Sequence, residues 1–129
     1  MSRKIVVAVK PMQDIRFNGI GDYFVDAEGA VHIEVGDTGS DASNLLILIH
    51  ELVEYALVSS HGISLQDIEN FGQNCKHEES EENLDAPYFE EHDDAMFVEE
   101  YVALRDVITW DEHVRNIERA WDNAHKVPK

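Results

Sequence analysis

The apolar residues of this chain follow two rhythms, an alternating one up to about residue 35 and a helical one from about residue 42 onward. Ile5 to Val9 is a short β-branched run closed by Pro11, which reads as a strand. Tyr23-Phe24-Val25 and Ala30 to Val35 flank Asp26-Ala27-Glu28-Gly29, a stretch with the composition of a turn. Within the second run Val31, Ile33 and Val35 alternate with His32 and Glu34, as in a half-buried strand. These segments predict a small antiparallel sheet at the N-terminal end.

Gly36 to Asp41 is rich in turn residues, and Ser40 or Asp41 is placed to cap a helix from about Ala42 to Ser59. That helix should stop near His61-Gly62, where Gly62 suits the left-handed position after a helix end. Ser64-Leu65-Gln66-Asp67 resembles a capping box, with aspartate in place of glutamate, for a short helix through Asn70 or Cys75. Lys76 to Asp85 is dense in acid and reads as a solvated loop. A third helix is expected from Asp85-Ala86-Pro87 to about Asp106, with Met96, Val98, Val102 and Leu104 among its apolar positions. Thr109-Trp110-Asp111-Glu112 is a capping box for a last helix to about Ala124, with Val114, Ile117, Ala120 and Trp121 as its buried stripe. No repeat or linker divides the 129 residues. The expectation is one α+β domain, a small antiparallel sheet followed by about four helices.

Charge narrows the function classes. Twenty-seven acids against ten Lys plus Arg give a formal net charge of −17. Binding phosphates requires clustered cations, so direct binding to nucleic acid or to an anionic membrane is not expected. A substrate, a cation or a basic host protein is the expected partner. The single cysteine, Cys75, allows no intramolecular disulfide, which suits a reducing cytoplasm. The apolar run after Met1-Ser2-Arg3-Lys4 is too short for a signal peptide. No stretch was expected to approach the roughly 20 apolar residues that span a bilayer.

The chemistry concentrates in Ile49-His50-Glu51-Leu52-Val53-Glu54-Tyr55, inside an otherwise apolar run. Residues at i and i+4 share one helix face, so His50 and Glu54 can reach one metal ion. Glu51 points about 100° away from His50 and is placed to hold a water beside that ion. Zinc accepts both ligand types. The plain alternative is that this helix face meets solvent, but a charged group among apolar residues costs several kcal/mol unless paired or metal-bound. A third ligand is needed, and His92 on the third helix is the candidate, with Glu91, Asp94 and Glu99 as substitutes. His61 lies three turns beyond His50 and reads as a helix C-terminal residue favourable to the dipole. His32 and His77 have no spacing argument and read as surface residues.

His50-Glu51-Leu52-Val53-Glu54, then His61-Gly62-Ile63-Ser64, then Ala86-Pro87-Tyr88 with Glu91-His92 and Ala95, resembles small uncharacterised proteins encoded by bacteriophages and prophages. The resemblance spans roughly residues 45 to 113 and implies a zincin-like, metallopeptidase-like metal protein working in a host cytoplasm. It carries over to His50, Glu54 and His92 as zinc ligands and Glu51 as catalytic base. Gly72 stands where that pattern leads one to expect an acid. Two rivals follow from the same residues. Glu51-x-x-Glu54 with Glu91-x-x-Asp94 is similar to the acidic quartet of magnesium-dependent MazG-like nucleotide pyrophosphohydrolases. The −17 charge alone would also fit an acidic interaction protein or DNA mimic directed at a host protein.

Overall fold

In the computed structural model, which describes residues 3–74 and 86–126, a three-stranded sheet packs against the first of four helices. The strands are β1 (Ile5–Lys10), β2 (Gly21–Val25) and β3 (Val31–Gly36). The helices are α1 (Asp41–Ser60), α2 (Leu65–Asn74), α3 (Phe89–Val102) and α4 (Trp110–Ala124). The acidic stretch after α2, with Cys75 and His77, lies outside the described residues.

β3 is the middle strand, because its Ile33 and Val35 are fully buried and need cover on both sides. β2 and β3 form the expected antiparallel hairpin, with Tyr23 opposite Ile33. Asp26 closes its turn: one carboxylate oxygen accepts from the backbone of Glu28 and Ala30. The expectation of a wholly antiparallel sheet needs correction, because β1 joins the other edge of β3 in parallel, Val7 opposite Ile33. The reason is the crossover. Residues 11–20 carry the chain from the end of β1 past the end of β3 to the start of β2, fastened by Gly36 N–H to Ile20 C=O and Asp37 N–H to Lys10 C=O. Within that crossover, short 3₁₀ turns bury Met12 and place Phe17 and Asn18 in the left-handed region, at φ 59° and 56°.

The helix boundaries follow the capping chemistry. Ser40 Oγ accepts from Ser43 N–H to open α1, Ser64 Oγ from Asp67 N–H to open α2, and Thr109 Oγ1 from Glu112 N–H to open α4. α3 begins at Phe89, later than expected, because Ala86 and Pro87 belong to the turn before it. It ends at Val102, and a π-helical turn continues to Val107.

By length and composition α1 would pass for a membrane span, contrary to the expectation that no stretch comes close. Its place is that of a core helix: it packs lengthwise on α3 and against β3 and β2, and it buries Leu46, Ile47 and Val58. Val58 joins Ala86 and Tyr88 in an apolar cluster flanked by Ile63, Leu65, Ile68 and Phe71. The surprise is α3. Its buried residues are Glu91, His92, Ala95 and Glu99, whereas the expected apolar position Leu104, in the π turn, is exposed. The interface between α1 and α3 is therefore polar at its centre.

Gly62, at φ 71°, turns the chain at the end of α1, and open space surrounds the position a Cβ would take. Gly62→Ala should therefore cost only the left-handed strain, about 1 kcal/mol. A urea midpoint lowered by that amount with an unchanged slope is the expected result.

Candidate metal centre

Three side chains meet where α1 crosses α3. His50 and Glu54 come from successive turns of α1, and His92 comes from the facing turn of α3. His50 Nε2 is 3.0 Å from His92 Nδ1, His92 Nδ1 is 2.8 Å from Glu54 Oε1, and His50 Nε2 is 3.4 Å from Glu54 Oε1. All three residues are buried. Among the described residues they are the group of metal-ligating side chains gathered closely enough to hold one ion.

Hydrogen bonding alone leaves this triangle unsatisfied. An imidazole nitrogen either donates or accepts, and an ionised carboxylate only accepts. With both rings donating to Glu54 they would face each other N–H against N–H at 3.0 Å; with His50 Nε2 unprotonated, the one proton on His92 Nδ1 must serve both His50 Nε2 and Glu54 Oε1, which meet lone pair to lone pair at 3.4 Å. A cation between three lone pairs removes the conflict. Tetrahedral zinc with bonds of 2.0–2.2 Å sets its ligand atoms about 3.3–3.6 Å apart, a spacing that His50 Nε2 and Glu54 Oε1 already have at 3.4 Å and that the two contacts of His92, at 3.0 and 2.8 Å, would have to widen to reach. His92 Nε2 is buried and has no hydrogen-bond partner among the described residues, so the ring is held by its Nδ1 contacts. The donor set fits a divalent metal such as zinc.

The groups around the triangle set its charge. Burial opposes protonation of His50, but hydrogen bonds to Glu54 and Glu99, with Glu51 nearby, outweigh it and raise its pKa to about 10. Burial likewise works against ionised Glu54, yet hydrogen bonds from His50 and His92 hold its carboxyl well below the usual range. Glu99 is lowered in the same way by His113 and His50, again against its burial.

Each sequence-predicted residue can now be placed. Glu51 is buried and lies directly on Gly21 of β2: a Cβ there would come within 2.6 Å of Glu51 Oε1, so only glycine leaves room. Glu91 pairs with half-exposed His61 at 2.7 Å, joining the end of α1 to the start of α3. Asp94 is exposed. His32 bonds Asp26 at 2.8 Å and stacks on Phe24. At Gly72 a Cβ would press on the Phe17 ring at 3.0 Å, so that position is filled by an aromatic contact.

Glu99 is close to the centre but does not face it. Glu99 Oε1 accepts from His50 Nδ1 at 2.7 Å, and Oε2 accepts from His113 Nε2 at 2.5 Å. His113 Nδ1 lies 2.9 Å from Ser43 Oγ, which also accepts from Asn116 Nδ2 at 3.1 Å. Ser43 and His113 were not singled out from the sequence. A signal was present: Ser43 and His50, like His92 and Glu99, are seven residues apart, two turns along one helix face.

A cavity of about 560 Å³ opens beside the triangle. Glu51, Tyr23, Met96, Trp110, Phe17 and Trp121 are among the residues that line it. Arg16, which also lines it, is engaged by Asp22 at 2.6 Å and Glu69 at 3.1 Å. Tyr23 stays protonated, through burial and the Glu54 carboxylate beside it, although its hydroxyl forms no well-aligned hydrogen bond. No family model, curated protein or solved structure matches the chain.

These charges predict the pH dependence of the metal-free protein. A raised His50 stabilises fully below about pH 6.5 and stops doing so as pH climbs through about 10. Lowered Glu54 and Glu99 stabilise fully above about pH 4.5 and fail as pH falls through their depressed values. Thermal melts in the presence of a chelator should peak between about pH 4.5 and 6.5. In His50→Gln the decline on the alkaline side should flatten.

Proposed function

We propose that this chain is a zinc-binding protein with a metallopeptidase-like site, a metal-dependent hydrolase of phage origin that works in the host cytoplasm. His50, Glu54 and His92 are its protein ligands, and Glu51 is its base. The observation that carries the reading is the convergence of His50 Nε2, His92 Nδ1 and Glu54 Oε1, all buried, to within 2.8–3.4 Å of one another. A zinc ion with three protein ligands and an open position supplies Lewis acidity and lowers the pKa of water to about 7. The work left to the chain is to hold substrate and move protons. Glu51 lines the same cavity as the triangle, as a base must if it is to take a proton from the attacking water and return it to a leaving group. The apolar walls favour a substrate with an uncharged side chain next to the bond that breaks.

The alternatives fit the geometry less well. A magnesium site made of four carboxylates would need Glu91 and Asp94 beside Glu51 and Glu54, but Glu91 turns to His61 and Asp94 faces solvent. A DNA mimic needs its acids outside, as Asp93, Asp94, Asp111 and Glu112 are, but it gives no role to the buried Glu51, Glu54, Glu91 and Glu99.

Metal analysis of untagged protein tests the proposal. About one zinc per chain is expected, lost in His50→Ala and in His92→Ala and kept in Glu51→Gln. A folded wild-type protein that binds no divalent metal would overturn it. Cleavage of a mixed peptide library by the zinc-loaded protein should disappear in Glu51→Gln, by a factor of at least about 100. Zinc binding without any such cleavage would make the metal structural.

A further inference from the structure

The chain of contacts leaving His50 on the side away from the triangle reaches a third helix. His50 is on α1, Glu99 on α3, His113 on α4, and Ser43 back on α1 two turns before His50. The distances run 2.7, 2.5 and 2.9 Å, and all four side chains are buried, with Ser43 and His113 fully so.

The donor sense along this chain is determined. An ionised Glu99 only accepts, so His50 Nδ1 and His113 Nε2 both carry the protons that point to it. His113 Nδ1 is then free to accept from the Ser43 hydroxyl, whose oxygen accepts in turn from Asn116. With Nδ1 committed as a donor, His50 can offer only Nε2 to a metal, which is the nitrogen facing Glu54 and His92.

At this point α4 is tied to α1 through His113 and Asn116, both at Ser43. His113 is its one buried residue, and the apolar stripe of Val114, Ile117, Ala120 and Trp121 is only half-buried. Trp121 Nε1 donates to Asn18 C=O far along the helix, at the exposed end.

We propose that Glu99, His113 and Ser43 form the outer shell of the metal site and that His113 couples the docking of α4 to metal occupancy. This rests on the metal reading above and extends it to a helix that supplies no ligand. Groups that orient a metal-bound histidine typically contribute tenfold to a hundredfold in metal affinity. Coupling is reciprocal, so an ion that needs a correctly oriented His50 must also favour the docked α4. His113 and Ser43 are thus positioning residues.

The test is zinc affinity, by competition with a chromophoric chelator, together with amide hydrogen exchange of α4 with and without zinc. Wild type should bind zinc and show slower exchange across residues 110–117 when loaded. His113→Leu, close to histidine in size, should bind zinc about 10- to 100-fold more weakly and lose the zinc-dependent protection. His113→Gln, whose amide can still donate to Glu99, should recover most of the affinity. Ser43→Ala should weaken binding by less, about three- to tenfold, and serves alone if His113→Leu does not fold. Wild-type affinity and protection in Ser43→Ala and in folded His113→Leu would overturn the proposal and leave the metal site standing. A wild type that binds no zinc would overturn the metal reading itself, and the outer shell with it.

Discussion

The structure depends on keeping charged and polar side chains satisfied between α1 and α3, away from water. His50, Glu54, His92 and Glu99 are all buried at that crossing, where each isolated ion would cost several kcal/mol. The solution has two parts. On one side Glu99 and His113 bridge to Ser43 with complementary donors and acceptors; on the other, three atoms converge that cannot all be hydrogen-bonded to one another. The first part is complete as protein. The second is a group of donors that could hold a metal ion.

The rest of the fold serves that crossing. The sheet provides the floor, with Gly21 giving room for the Glu51 carboxylate. Because β1 runs parallel to β3, residues 11–20 must cross the end of the sheet, and Phe17 and Asn18 from that segment form one wall of the cavity. Two consecutive residues with positive φ are an unusual cost for such a short segment. It is offset where Arg16 lies over Phe17 and Phe24 and ties Asp22 to Glu69. Apolar burial secures the far end, where Val58, Ala86 and Tyr88 pack.

Much of this was legible in the sequence, for local reasons. Ser40, Ser64 and Thr109 cap helices because the capping bond lies within four residues, and Gly62 ends α1 because the left-handed turn is local too. His50 and Glu54 share a face by helical periodicity alone, and His92 followed from the need for α3 to cover α1. The direction of β1 was not legible, since both hands of pairing suit Ile5 to Val9 and the choice is made by a ten-residue crossover. The outer shell was not legible either. Glu99 was read as a substitute ligand, but it turns to His113 on a helix 14 residues later, and that contact depends on how α4 docks. The apolar pattern misled on α3, where the buried face is the polar one because its partners are the histidines of α1 and α4.

If His50, Glu54 and His92 hold an ion, its nearest neighbours are imidazole nitrogens and a carboxylate oxygen. X-ray absorption at the zinc edge of the loaded, untagged protein reads them directly. The prediction is a first shell of nitrogen and oxygen only, at about 2.0–2.2 Å, with the outer scattering of two imidazoles. A shell containing sulfur at about 2.3 Å, or one without imidazole scattering, would place the metal elsewhere and contradict the account.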